Sequence, residues 1–355
     1  MSARWRARLE AALTRAWQAR AGLACALWPL SLLYGVFVAL RRAAYRSGWP
    51  RQEHIDPPLV VVGNRIVGGA GKTPTVLAVL AHLQARGWCP GVVSRGHGGS
   101  GAGVQAVRRT TPATAVGDEP LLIHLRSGVP VMAGRDRAAA ARALLAAHPH
   151  VDIVVADDGL QHLRLARDIE LVVFDARGAG NGWLLPAGPL REPIEATSSA
   201  RRTLVLYNAD APSTALPGFL SRRRLAGVVE LAAWWQGQPA RVDALQALRC
   251  KRVIACAGIA QPERFFEPLR AAGLTIEPLP LGDHADFVPL PWPADARDVV
   301  VTEKDAVKLV PERMTRERPG LAVWVAPLDF TPEPALFAAL DAALAALPAA
   351  PRREG

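Results

Sequence analysis

From Pro57 onward, short unbroken apolar runs alternate with helical stretches. The runs Leu59–Val62, Gly91–Val93, Val129–Met132, Ile153–Asp157, Leu171–Phe174 and Thr203–Leu206 read as strands, with helices such as Thr75–Arg86 and Arg135–Ala147 between them. Strands that are apolar throughout, rather than at every second residue, are buried on both faces. They predict a parallel sheet covered by helices on each side. A second series follows at Leu225–Leu231, Arg252–Ala257, Leu274–Glu277, Val299–Thr302 and Ala322–Val325. The Gly- and Pro-rich stretch Gly178 to Pro193 separates the series and reads as a hinge or linker, with a boundary near Ala196–Thr203. The expected organisation is an N-terminal segment over 1–50, an α/β core over 51–200 and a smaller α/β lobe over 201–355. No repeat of solenoid period is visible, and the tail Pro348–Gly355 is expected to fray.

The first fifty residues follow another pattern. Gly22 to Leu40 is 19 residues without a charge, roughly 28 Å of helix, which just matches a bilayer core. Five arginines precede it and three follow, so a full span in either orientation leaves a basic flank on the wrong side. No small-x-small site follows, which argues against a cleaved signal peptide. Ahead of it Trp5, Leu9, Leu13 and Trp17 recur every four residues between arginines, the pattern of a helix lying among lipid headgroups. Interfacial or re-entrant insertion is expected, ahead of a full span or a buried core helix.

Charge narrows the partner. The net charge of +10 invites a polyanion, but eight arginines against the single acid Glu10 place +7 of it within residues 1–50. A nucleic-acid-coating surface spreads its charge further, so no nucleic-acid partner is expected. Only Lys72, Lys251, Lys304 and Lys308 are lysines; the other 38 basic residues are arginines, as a GC-rich coding bias produces. Cys25, Cys89, Cys250 and Cys256 form no Cys-x-x-Cys pair and no zinc spacing, which fits a reducing, cytosol-facing compartment.

Candidate chemistry is densest in VVVGNRIVGGAGKTPT, residues 60–75: a strand, a glycine-rich turn, then a helix. Such a turn lets backbone N–H groups close around phosphate oxygens at a helix N-terminus. Ile66, Val67, Gly68, Gly69, Ala70, Gly71, Lys72 and Thr73 form this P-loop, with Lys72 reaching the β/γ-phosphates and Thr73 binding Mg²⁺. The generic pattern asks for glycine at position 66, where this chain has Ile66. Asp157 and Asp158 end an apolar strand, where P-loop proteins place a second Mg²⁺ contact; the alternative is a turn or helix cap. Gly117-Asp118-Glu119-Pro120 is read equally as a helix cap or as a carboxylate that accepts a hydroxyl proton. His284 is flanked by Asp283 and Asp286, an arrangement that tunes a base. Thr302-Glu303-Lys304-Asp305 follows a strand and either binds an anion or pairs charges on a first helical turn.

Together these residues resemble the tetraacyldisaccharide 4'-kinase family, the lipid A 4'-kinases of Gram-negative bacteria, over nearly the whole chain. The resemblance runs in order through Pro29-Leu30-Ser31-Leu32-Leu33-Tyr34, the Gly63-Asn64 to Thr73-Pro74 loop, Ser94-Arg95-Gly96, Gly117 to Pro120, and Asp157-Asp158-Gly159-x-Gln161-His162. It closes with Pro186-x-Gly188-Pro189-Leu190-Arg191-Glu192, Asp283-His284 and Thr302 to Asp305. The family loop also lacks glycine where Ile66 stands. His97 replaces a common tyrosine and Leu160 a common phenylalanine, neither at a position assigned to chemistry.

The resemblance implies transfer of phosphate from ATP to the 4'-hydroxyl of a lipid A disaccharide 1-phosphate. It implies a P-loop core, a smaller α/β lobe and a membrane-associated N-terminal helix; the expected setting is the cytoplasmic face of the inner membrane, and the expected state a monomer. Asp118 is carried over as catalytic base, paired with His284; Lys72 and Asp158 join them, with Asp157 also near Mg²⁺ and Gln161 and Glu192 in the metal shell. With Asp118 and His284 assigned to different lobes, the dyad is expected to assemble only on lobe closure. The alternative is a membrane-associated P-loop ATPase or GTPase switch that transfers phosphate only to water. Many such loops carry lysine before the Gly-Gly pair, where Val67 stands here.

Overall fold

The computed structural model describes residues 12–194 and 202–348. Trp5 and Leu9, most of Ala196–Thr203, and all but the first residue of Pro348–Gly355 lie outside the described residues. The chain forms two compact units that interleave along the sequence. One comprises Met1–Pro90, His150–Arg222 and Pro332–Gly355; the other comprises Gly91–Pro149 and Arg223–Thr331. Chain order alone, with a division near residue 200, does not describe this assembly.

In the first unit five parallel strands lie in the order Phe219–Leu225, Arg202–Asn208, Ile169–Asp175, Leu59–Gly63 and Ile153–Asp157. Every residue of Leu59–Gly63, Ile153–Asp157 and Ile169–Asp175 is buried, as strands apolar on both faces must be. Parallel pairing puts all the carboxyl ends on one edge, and Val62 lies in register with Asp157. The loop after Leu59–Gly63 and the aspartates after Ile153 thus emerge side by side. The helix Lys72–Ala85 follows, buried through Thr75, Val76, Val79, Leu80 and Leu83, spaced by three and four residues as one helix face. Gly71 precedes it with φ 89°, a conformation open to glycine at little cost.

The segment Gly178 to Pro193 is not a linker. Asn181, Ala187 and Leu190 are buried within it. Asn181 Nδ2 donates to the Ala187 carbonyl at 2.9 Å. It grips the P-loop through Val67 N–H to the Pro189 carbonyl at 2.9 Å and Arg191 N–H to the Arg65 carbonyl at 2.8 Å. Glycine and proline serve here to fold the backbone back on itself; composition alone does not distinguish that from a flexible connection.

The helix Leu23–Arg46 lies along the same segment. Ser31 Oγ donates to the Leu184 carbonyl at 2.7 Å and Tyr34 Oη to the Arg191 carbonyl at 2.9 Å. Burial raises the Tyr34 pKa above its ordinary value. Farther along, Arg41 donates to the Gln161 carbonyl at 3.1 Å. Leu30, Leu32, Leu33, Val36, Phe37 and Leu40 are exposed, Leu33 at 68%. The helix is long and apolar enough to cross a membrane, with 11% of its apolar window buried.

The second unit holds two groups of strands. Val131–Ala133 pairs parallel to Pro90–Ser94 and antiparallel to Gln105–Val107. The other group forms a sheet in the order Thr275–Pro280, Arg252–Ala257, Asp298–Val301, Ala322–Val325 and Val229–Glu230, antiparallel only at the last pair. Val253, Ala255, Val300, Phe265, Phe266 and Leu269 pack in one core over this sheet. The strand expected at Leu225–Leu231 is broken. A Cβ on Gly227, at φ 117°, would lie 2.5 Å from the Arg241 backbone; the chain turns there, pairs briefly at Val229–Glu230 and enters the helix Leu231–Trp235.

Candidate active site

Two clusters contain the residues singled out from the sequence, one in each unit. In the first unit, four consecutive carbonyls of the glycine loop are each met by a side-chain donor. Arg177 reaches those of Val67 at 3.3 Å and Gly69 at 3.2 Å. Asn64 Nδ2 reaches Gly68 at 2.8 Å, and Asn208 Nδ2 reaches Ala70 at 3.0 Å. Asn64 and Asn208 sit at the carboxyl ends of parallel strands, and Arg177 lies two residues past Asp175, which holds its guanidinium at 3.0 and 3.1 Å. Fixing the carbonyls fixes the peptide planes, and so the direction of the N–H groups that follow.

Lys72 Nζ lies 3.3 Å from Asn64 Oδ1 and 3.5 Å from Asp158 Oδ1. Arg191 meets the same Asp158 oxygen at 3.3 Å and Gln161 Oε1 at 3.2 Å. Gln161 Nε2 donates to Glu192 at 3.2 Å, and Glu192 also pairs with Arg42 at 3.5 Å and Arg65 at 4.0 Å. Asp157 is buried at its strand end, while Thr73 stands on the first helical turn, partly exposed. Asp158 has φ 50° and His284 φ 60°, the only non-glycine residues with positive φ among the described residues. Such backbone costs about 1–3 kcal/mol, a strain that gathers at functional positions.

In the second unit, Asp118 opens the helix Asp118–Ser127, capped by Gly117 with no side-chain bond. Asp118 is thus not the cap, although it and Glu119 place acid on the first turn; its Oδ2 lies 2.9 Å from His284 Nδ1 and 3.1 Å from Lys308 Nζ. The two residues share one compact unit, so the pair forms without any lobe closure, contrary to the expectation from chain order. Burial pushes the Asp118 carboxyl up, but the His284 hydrogen bond and the Lys308 charge outweigh it and hold the group below the usual carboxylate value. Thr302 caps the short helix Glu303–Ala306, accepting from the Asp305 N–H at 3.2 Å. Lys304 pairs with Asp283 at 2.9 Å; burial pulls its pKa down, but Glu119 and Asp283 together more than reverse this and leave it raised.

Lys308, Arg177 and Asn208 carry none of the sequence signals that found the others. Their partners lie 190, 110 and 138 residues away in the chain.

A strand and a carbonyl-clamped glycine loop with Lys72 at a helix start, beside a parallel sheet, define a P-loop fold; a separate Asp–His pair lies in the second unit. A family model, Tetraacyldisaccharide-1-P 4'-kinase, matches residues 23–345. The chain is 66% identical over 350 residues to the tetraacyldisaccharide 4'-kinase of Methylibium petroleiphilum, covering 99% of this chain and 97% of that one. It is 60% identical over 342 residues to that of Leptothrix cholodnii, covering 96% and 97%. A crystal structure of LpxK from Aquifex aeolicus, an "apo" form in complex with ATP, has the same fold: TM-score 0.74 at 24% identity, over 91% of this chain and 99% of that one. The chain belongs to the tetraacyldisaccharide-1-P 4'-kinase family.

Proposed function

We propose that the protein transfers the γ-phosphoryl group of ATP to the 4'-hydroxyl of a tetraacyldisaccharide 1-phosphate, a lipid A precursor. Membership of the kinase family over residues 23–345 is the observation that carries this reading. The clamped loop suits the donor: its remaining N–H groups and Lys72 would meet phosphate oxygens, and the helix start adds partial positive charge. The Asp118–His284 pair suits the acceptor. A hydroxyl attacking in line loses its proton late in a loose transition state, so an ionised, oriented carboxylate serves even with a low pKa. Alignment and electrostatic stabilisation by Lys72 and Arg191 supply most of the remainder.

Mg²⁺ fits the loop cluster, because Thr73, Asp157 and Asp158 offer hard oxygens and no competing sulfur or imidazole. When bound it neutralises charge on the transferring phosphates. Gln161 and Glu192, already engaged by Arg191, Arg42 and Arg65, orient the donors around it.

The exposed apolar face of Leu23–Arg46 supports docking on the cytoplasmic surface of the inner membrane, where an acylated substrate resides. Hydrogen bonds from Ser31 and Tyr34 at the helix middle favour lying along the surface over crossing it. The experiment is labelled ATP with the disaccharide 1-phosphate in detergent micelles. Label in the lipid is expected; hydrolysis of ATP at full rate without lipid acceptor would favour the ATPase switch. Flotation of the full chain with anionic vesicles, weakened about tenfold by Leu33→Asp, tests the docking.

A further inference from the structure

Two lysines, four residues apart on the Thr302–Lys308 segment, address opposite sides of the Asp118–His284 pair. Lys304 Nζ lies 3.3 Å from His284 Nε2, and Lys308 Nζ lies 3.1 Å from Asp118 Oδ2. An ammonium only donates, so the bonding pattern makes Nε2 the accepting nitrogen and puts the imidazole hydrogen on Nδ1, directed at Asp118. Both donors to Asp118 fall on Oδ2. Oδ1 receives neither and is the oxygen left to meet a hydroxyl.

Lys308 is held on every side. It donates to the Ala285 carbonyl at 2.9 Å, lies 3.6 Å from Asp305 Oδ1 and sits 5.8 Å above the Phe287 ring. Its side chain is 9% exposed and that of Asp305 0%. Asp305 is fixed by the Gly258 N–H at 3.0 Å and the Thr302 hydroxyl at 2.7 Å. Burying a lysine with a carboxylate behind it costs desolvation that a solvated surface pair avoids, and few lysines are held so.

We propose that Lys308, seated by Asp305, is a positioning residue for the proton acceptor: it keeps Asp118 ionised and turned so that Oδ1 faces the sugar hydroxyl. This rests on the kinase reading above. Asp118 is surrounded by His284, Lys308, Lys304, Asp283, Glu119 and, stacked obliquely on His284 at 5.3 Å, His97. Of the two lysines among them, only Lys308 touches the carboxylate. Removing its charge takes away part of what opposes burial, leaving the His284 hydrogen bond alone against it, so the Asp118 carboxyl moves upward.

The test is steady-state transfer by the full chain in micelles across pH, for Lys308→Met, Lys308→Gln and Lys308→Arg. Met and Gln are expected to lower kcat by about 30-fold, leave the KM for ATP within about twofold, and move the acid limb of the rate profile to higher pH. Arg keeps the charge and is expected to leave that limb in place. Combined with Asp118→Asn, Lys308→Met is expected to add nothing, since its effect passes through that carboxylate. An unmoved acid limb in Met and Gln, or full additivity with Asp118→Asn, overturns the proposal. Should Lys308→Met not fold, Lys308→Gln, which keeps a hydrogen-bond donor without the charge, decides on the same two criteria. A wild-type chain that labels no lipid would overturn the kinase reading itself, so the two failures are distinct.

Discussion

The glycine loop of the first unit and the Asp118 cluster of the second use opposite materials. Around the loop, side chains such as Asn64, Arg177 and Asn208 occupy the carbonyls, and in the proposed reaction the backbone would carry the function. Around Asp118 the side chains touch in series, His284 and Lys308 on Asp118 and Asp305 on Lys308, and in the proposed reaction they would carry the function. Under the proposed function the contrast would follow from the ligands. A phosphate is permanently charged and is held by fixed dipoles; a proton changes owner, so its site needs groups whose affinities are set by their neighbours.

If the two regions divide the work in this way, damage to each should read differently. Lys72→Ala is expected to lower kcat/KM for transfer by about 10³-fold while leaving the acid limb of the pH profile where it was. Asp118→Asn should cost about 10²-fold in kcat with the KM for ATP unchanged. A large rise in that KM would break the division. Arg177→Lys keeps the charge but loses the fork that spans two carbonyls, and the KM for ATP should rise about tenfold with little change in kcat. The smallest effect is on stability. The Asp118 carboxyl lies below its usual value in the folded chain, so its contribution is complete above the unfolded value of about 3.9 and fades as pH falls through the folded one. Unfolding of wild type and Asp118→Asn should differ by about 1–2 kcal/mol at neutral pH and converge in strong acid.

The loop and the dyad also differed in legibility. Ile153–Asp157, Arg252–Ala257 and Ala322–Val325 form strands over the residues that their unbroken apolar runs indicated. The loop was equally plain, because its chemistry is contiguous. Phe219–Leu225 was missed: three adjacent arginines, Arg222 to Arg224, hide a strand that needs only partial burial. Gln105–Val107 is too short to show a period. Gly178 to Pro193 was misread because packed turns and loose linkers share a composition; only the burial of Ala187 and Leu190 separates them. Asp118 and His284 stood out through resemblance, and the assignment of each to its own lobe failed because the chain returns to the second unit after leaving it. Lys308 was legible only as a rare lysine. What defines it is a carboxylate 190 residues away.

One shared support in the first unit has a consequence for how freely the protein could be rebuilt. Leu184 and Arg191 receive the hydroxyls of the N-terminal helix, while Pro189 and the backbone of Arg191 hold the P-loop. The N-terminal helix and the P-loop are therefore not interchangeable parts on a common chassis. Exchanging Leu23–Arg46 for another apolar helix would keep an attachment but strip the Leu184 and Arg191 carbonyls of their partners, in the strip of chain that shapes the loop. Where many proteins wear a terminal apolar helix as an accessory, here it is a structural member.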